Sequence, residues 1–310
     1  MIAWLFPGQG TQEVGMGKAL SEASPAAREV FARADAALGF SISKLCFEGP
    51  AEELTLTKHA QPAIVTASIA ALSALEESFP ELPAPRFALG HSLGEYSALV
   101  AAGALTLEDA VRLVHLRGSA MQEAVPPGQG AMAAILGGDP AGVAALCEEA
   151  AAGEVLSPAN FNAPGQIVIS GAAGAVSRAV ELAGARKLKA IPLKVSAPFH
   201  CALMAPAARA VEAALRRITL GALAFPVVAN VDAKPNTDPG RVPELLVRQI
   251  DAPVRWEESV AAVAAEGVTR ALEIGPGKVL AGLVKRIDKR LVVQGVFEPD
   301  KLADARTFLA

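Results

Sequence analysis

Ser92 is the residue whose surroundings most clearly permit chemistry. It is the centre of Gly90-His91-Ser92-Leu93-Gly94, a G-x-S-x-G match preceded by the apolar run Phe87 to Leu89 and followed by a helical stretch from Glu95 to Ala102. A strand that turns sharply into a helix forces the central serine into a strained, exposed position, and the flanking glycines let neighbouring backbone come close. The amide of the next residue, Leu93, then lies at a helix N-terminus, where it can donate to a developing oxyanion. The plainer alternative is a strand-to-helix turn whose serine only caps the helix. The first reading implies nucleophilic attack on an acyl group through a covalent acyl-serine.

A serine hydroxyl needs a base, and the chain holds four histidines. His59 sits in the polar segment Lys58-His59-Ala60-Gln61-Pro62. His91 adjoins the serine, but consecutive side chains diverge at such a turn, so it is expected to support the elbow. His115 shares a helix face with Glu108 and Arg112 at steps of four and three, which reads as a solvated face. His200 follows the rigid pair Ala197-Pro198 and opens a helical segment, a place where side chains line clefts. Elimination makes His200 the candidate base. No acidic residue between Ser92 and His200 stands out as a third member, because Glu108, Glu148 and Glu181 fall on polar helix faces. A backbone carbonyl or an amide side chain is therefore expected to orient the imidazole, giving a dyad.

Arg117 is on the wrong face of its helix. Its neighbours at three and four residues are Leu113, Val114, Ala120 and Met121, whereas Arg112 is surrounded by Glu108, Asp109 and His115. A guanidinium on a core-facing stripe is costly unless paired, so it needs an internal carboxylate, a route for its tip to water, or an anionic ligand. The ligand reading is preferred, and it predicts a substrate with a free carboxylate.

The elements that must carry these residues follow from pattern and composition. Of 310 residues 52% are hydrophobic and 19% charged, enough to bury a substantial core. Short apolar runs alternate with Ala-rich helical patterns, the mark of an α/β protein with a mostly parallel sheet. Residues 131–197 break this rhythm. Ala131 to Leu136 reads as a strand, and Val143, Leu146, Cys147 and Ala150 space a helix that Gly153 ends. Two strands flank the turn at 163–166, Val176, Val180 and Ala183 space a second helix, and Ala190 to Val195 is a last strand. Gly171-Ala172-Ala173-Gly174 reads as a turn. Strand, helix, strand, strand, helix, strand is the ferredoxin-like order. The expected organisation is a large α/β domain, 1–127 with 198–310, interrupted by a small subdomain at 128–197, with the substrate cleft between them.

Three distant cysteines, Cys46, Cys147 and Cys201, suggest no zinc site, redox pair or disulfide framework and fit a reducing cytoplasm. The N-terminal apolar run, Met1 to Phe6, is too short for a secretory signal, and the uncharged apolar stretch from Tyr96 to Leu107 falls short of the roughly 20 residues of a membrane span. A net charge of −4 argues against a general nucleic-acid surface. There is no metal-ligand spacing, Walker motif or G-x-G-x-x-G.

Six segments in register carry a family likeness: Phe6-Pro7-Gly8-Gln9-Gly10, the elbow with Glu95, Arg117, Asn160-Phe161-Asn162, Pro198-Phe199-His200 and Gly275-Pro276-Gly277. In these the chain resembles bacterial malonyl-CoA:acyl carrier protein transacylases over nearly its whole length. The resemblance implies an α/β-hydrolase-like large domain, Ser92 as nucleophile, His200 as base, and the amides of Gln9 and Leu93 as the oxyanion hole. It also implies that Arg117 binds the malonyl carboxylate and that the main-chain carbonyl of Gln249, expected on a strand, orients the histidine. Asn160 and Asn162 would contact substrate or coenzyme A, or else form a turn between strands. Phe199 resembles the bulky choice associated with malonyl over methylmalonyl, a methyl difference worth only about 1 to 3 kcal/mol. No cofactor is implied; malonyl-CoA is a substrate. An acidic carrier protein would meet Lys285, Arg286, Lys289 and Arg290, which are also explicable as a solvated helix face, and a monomer is expected. Esterase or thioesterase activity, a non-catalytic scaffold role, and service to polyketide assembly or malonate breakdown remain as alternatives.

Overall fold

The computed structural model describes residues 1–309. Its strands are β1 (Ile2–Phe6), β2 (Phe87–Gly90), β3 (Gly130–Leu136), β4 (Leu156–Ala163), β5 (Gln166–Ala172), β6 (Lys189–Pro192), β7 (Val227–Val228), β8 (Pro235–Asn236), β9 (Arg270–Ile274) and β10 (Val292–Val296). They form two sheets, one ordered β10-β9-β1-β2-β7-β8 and the other β4-β5-β3-β6.

In the larger sheet every pairing is parallel except β7 with β8. β1 is buried along its whole length, as expected of a central strand covered on both faces. Alternation divides its side chains between two cores. Trp4 and Phe6 join the core beneath helices Thr57–Ser78 and Leu107–Glu123, while Ala3 and Leu5 join that beneath Trp256–Ala265 and Val279–Ile287. The mostly parallel α/β architecture expected from the sequence is present.

The smaller sheet is antiparallel throughout, and its strand order is that of the ferredoxin-like arrangement. Helices Pro140–Ala151 and Ala173–Ala185 close a core of their own over Ile135, Leu146, Ile169 and Val176. Asp139 caps the first of these, its Oδ1 accepting from the Gly142 amide at 2.9 Å. Two expectations need correction here. Residues 171–174 are not a turn, since β5 runs to Ala172 and the next helix starts directly at Ala173. The last strand stops at Pro192, past which the Leu193 amide still donates to the Met132 oxygen of β3, and residues 193–196 instead wall the cleft between the sheets.

β9, the next strand of the large sheet after β8, carries a buried carboxylate one residue before its end. Glu273 is fully buried and accepts from the amides of Leu280 and Ala281 at 2.9 and 2.8 Å. It thereby satisfies two of the orphan donors at the start of helix Val279–Ile287. None of the helices among the described residues is long and apolar enough to cross a membrane. Glu273→Ala is expected to destabilise the fold by about 3 kcal/mol, because two buried N–H groups lose an anionic acceptor. Urea unfolding should show a lower midpoint at an unchanged slope.

Candidate active site

The elbow after β2 is held by backbone packing that only glycine allows. A Cβ on Gly90 would lie 1.8 Å from the carbonyl carbon of Gly94, and one on Gly94 would lie 2.1 Å from the Phe6 oxygen. Ser92 itself has φ of 50°, a left-handed conformation costly for a residue with a Cβ, and so stands at the top of the turn. Asn230, in the loop after β7, fixes it there. Its Oδ1 accepts from the Ser92 amide at 2.6 Å, and its Nδ2 donates to the Gly90 oxygen at 2.7 Å.

Ser92 Oγ is 2.7 Å from His200 Nε2. The other ring nitrogen, Nδ1, is 2.8 Å from the Gln249 carbonyl oxygen, which can only accept. Nδ1 therefore carries the hydrogen, and Nε2 is left unprotonated to take the serine proton. Gln249 lies not on a strand, as expected, but in the last turn of helix Val242–Asp251. That position explains its role physically: the last carbonyls of a helix have no partner within it, so this one is free for the imidazole. Burial, reinforced by the Arg117 charge, pushes the His200 pKa down to about 3, so the ring is neutral at physiological pH. His200 is also left-handed, with φ of 61°.

Arg117 is 1% exposed, and its stripe of Leu113, Val114 and Met121 is buried with it. Nη1 donates to Gln61 Oε1 at 2.9 Å, and Nη2 donates to Gln249 Oε1 at 2.9 Å and to Ser92 Oγ at 3.2 Å. All three acceptors are uncharged. Nε has no hydrogen-bond partner, and the guanidinium carbon is 5.4 Å from the centre of the Tyr96 ring. Burial lowers the arginine pKa from its ordinary value. The internal carboxylate weighed as its partner is thus absent among the described residues, and the charge is placed beside the serine hydroxyl.

The remaining acid of the site is Glu95, at the first turn of helix Gly94–Ala101. Its Oε2 accepts from Gln249 Nε2 at 2.8 Å and from the Asn230 amide at 3.0 Å. Burial pushes its pKa up to about 7, against the hydrogen bonds from Gln249 and Asn230 and the charge of Arg117. Sequence reasoning gives no role to Glu95, which it quotes only as part of the elbow motif, nor to Asn230 or Gln61. Glu95 and Gln61 left a signal, each being a polar residue set into an apolar helical run; Asn230 left none beyond its place after a strand.

A cleft of about 520 Å³ opens over the pair, with Gln9, Ser92, Leu93, Arg117, Phe199 and His200 in its wall. Among the described residues, neither the Gln9 nor the Leu93 amide donates to a protein acceptor. The two asparagines of β4 part company. Asn160 lines the cleft, whereas Asn162 lies off its wall and uses Oδ1 on His91 Nε2 at 2.8 Å. His91 thus ties the elbow to β4, as its support role requires, with its ring 5.5 Å from that of Trp256. His115 is not on a solvated face. It is half-buried against Phe40 and His59, its Nδ1 donating to the Lys58 oxygen at 2.8 Å, because the neighbouring helix covers that side.

A neutral imidazole on a strained serine, with two free amides and a buried cation beside it, is equipment for acyl transfer through an acyl-serine. The acyl transferase domain model matches residues 3–309. The malonyl CoA-acyl carrier protein transacylase of Escherichia coli (strain K12) is 51% identical over 307 residues, which cover 98% of each chain. The solved malonyl CoA-acyl carrier protein transacylase from Coxiella burnetii is 40% identical with a TM-score of 0.96, over 99% of this chain and 97% of that one. A malonyl-transacylase solved in complex with its type II PKS acyl-carrier protein is 46% identical with a TM-score of 0.93, over 98% of both chains. Fold and site define a serine acyltransferase. The chain belongs to the acyl transferase family, among its malonyl CoA-acyl carrier protein transacylases.

The depressed pKa of His200 makes a kinetic prediction. An ordinary histidine base loses activity tenfold per pH unit below about 6.5. Here acylation of Ser92 should hold its rate from pH 6.5 down to 5. Rapid-quench mass measurement checks this, with Glu95→Gln run alongside so that the carboxyl titrating near 7 does not contribute.

Proposed function

We propose that this enzyme moves a malonyl group from malonyl-CoA to the phosphopantetheine thiol of acyl carrier protein in fatty acid synthesis. The single observation that carries the reading is the buried Arg117 guanidinium, held only by uncharged acceptors and in contact with Ser92 Oγ.

In the forward half-reaction His200 Nε2 takes the proton of Ser92 Oγ as it attacks the thioester carbon. The amides of Gln9 and Leu93 receive the oxyanion, and the Gln249 carbonyl stabilises the imidazolium that forms. Collapse of the tetrahedral species expels the coenzyme A thiolate, to which His200 returns the proton. The carrier-protein thiol enters by the same path in reverse. Arg117 pairs with the malonyl carboxylate throughout, so acyl groups lacking it leave a buried charge unmatched. Phe199 narrows the wall against a branched acyl group, and Asn160 meets the substrate or coenzyme A; Asn162 serves through His91 instead.

Several broader features belong to the same proposal. Residues 128–197 form a subdomain inserted into a domain of 1–127 and 198–310, and the protein works as a cytoplasmic monomer without a cofactor. The carrier protein docks at Lys285, Arg286, Lys289 and Arg290. The helix there ends at Ile287, so the last two lie beyond it; Arg286 reaches Gln166 and the Pro164 oxygen, and Arg290 pairs with Asp288. Lys285 and Lys289 are exposed and, among the described residues, make no side-chain hydrogen bond or ion pair. Charge reversal at these four positions should raise the KM for carrier protein and flatten its salt dependence; an unchanged KM argues against this face.

Brief exposure to malonyl-CoA should add one malonyl group at Ser92, and holo carrier protein should remove it. Decay in water alone at the same rate would indicate a hydrolase, and an adduct elsewhere would displace Ser92. Arg117→Ala should lower kcat/KM for malonyl-CoA by roughly two to three and a half decades, corresponding to about 3 to 5 kcal/mol, while acetyl-CoA changes little.

A further inference from the structure

Gln249 has an amide that can be turned two ways, and the reaction tolerates one. With Oε1 toward Arg117 it accepts from Nη2; turned over, it would set a donor against a donor. What selects the orientation lies on the far side. Gln249 Nε2 is 2.9 Å from the Ser92 carbonyl oxygen and 2.8 Å from Glu95 Oε2, and both atoms accept. The Glu95 carboxylate is itself pinned, because the same Oε2 takes the Asn230 amide at 3.0 Å. Asn230 in turn holds the Ser92 amide and the Gly90 oxygen. One carboxylate oxygen thus anchors both arms of the site, the carboxamide that positions the guanidinium and the asparagine that positions the elbow. Glu95 is 2% exposed and in no ion pair among the described residues, a position that a solubilising or helix-dipole role does not require.

We propose that Glu95 is a positioning residue of the transfer reaction, which fixes the Gln249 carboxamide and through it aims Arg117 at the substrate carboxylate. The proposal rests on the assignment of Arg117 to that carboxylate. Glu95 does not touch substrate; it acts through hydrogen-bond acceptance. Removing the acceptor leaves Gln249 Nε2 with the Ser92 carbonyl alone, and the partner on the Nη2 side of the guanidinium is held less firmly. Discrimination in favour of a carboxylated acyl group should then fall further than acyl transfer as such. A glutamine at this position can keep both contacts, since its Oε1 can take the place of Oε2 toward Asn230 and Gln249.

The test compares wild type, Glu95→Met and Glu95→Gln in loading from malonyl-CoA and from acetyl-CoA, read by intact mass in single turnovers, with thermal unfolding recorded for each. Glu95→Met keeps the side-chain volume without an acceptor. It should lower malonyl loading at least tenfold more than acetyl loading, and Glu95→Gln should restore the ratio to within about threefold of wild type. Equal losses for the two substrates, or no loss, would overturn the proposal, as would Glu95→Gln falling as far as Glu95→Met. If Glu95→Met does not fold, Gln249→Met applies the same comparison one step along the relay, and an unchanged malonyl-to-acetyl ratio there is equally fatal. Arg117→Ala separates the two levels: an unchanged ratio in that variant removes the assignment of Arg117 itself, whatever Glu95 does.

Discussion

A guanidinium taken out of water and given no anion in return is the constraint from which this site is built. Moving such a charge into the interior costs several kcal/mol, and the three uncharged acceptors around Arg117 offset only part of it. The fold must therefore hold the side chain in place by other means. It does so with a helix whose remaining stripe, Leu113, Val114 and Met121, is locked into the main core, and with two glutamines from separate helices. An incoming carboxylate is then worth more than it would be at the surface, because the desolvation of its partner has already been met in folding.

The nucleophile is arranged around the same point. Gly90 packs against Gly94 within the elbow, Gly94 packs against the Phe6 oxygen at the end of β1, and Asn230 ties the turn to the loop after β7. His200 follows the small sheet in the chain, and its ring is oriented by a carbonyl that a helix end leaves unpaired. A carbonyl serves here where many serine enzymes use a carboxylate, and the electrostatics suggest why. A second full charge next to His200 would compete with the substrate for Arg117, whereas a dipole orients the ring without doing so. Among the described residues the one carboxylate of the network, Glu95, is kept one amide away from the guanidinium.

Much of this was legible in the chain, and for local reasons. The elbow announces itself because strand, turn and helix are contiguous, and Arg117 because helical spacing alone puts it among apolar side chains. The small sheet could be read from its periodicity, since each of its elements carries its own buried face. What escaped were relations between distant segments. Gln249 was misplaced on a strand because a carbonyl that matters leaves no side-chain signal. His115 was assigned to solvent because its own helix cannot reveal that Phe40 and His59 cover it. Glu95 has no role of its own legible beyond the elbow motif, since an acid in the first turn of a helix has an ordinary explanation in the helix dipole. Its partners, Asn230 and Gln249, are 135 and 154 residues away.

The arrangement of the acyl-enzyme itself tests the central claim most directly. A crystal structure of the protein after reaction with malonyl-CoA, with the acyl group on Ser92, would show where the free carboxylate goes. The account predicts both carboxylate oxygens within hydrogen-bonding distance of the Arg117 guanidinium, with Gln61 and Gln249 still flanking it. A malonyl carboxylate turned toward bulk solvent, with the resting contacts of Arg117 undisturbed, would contradict it.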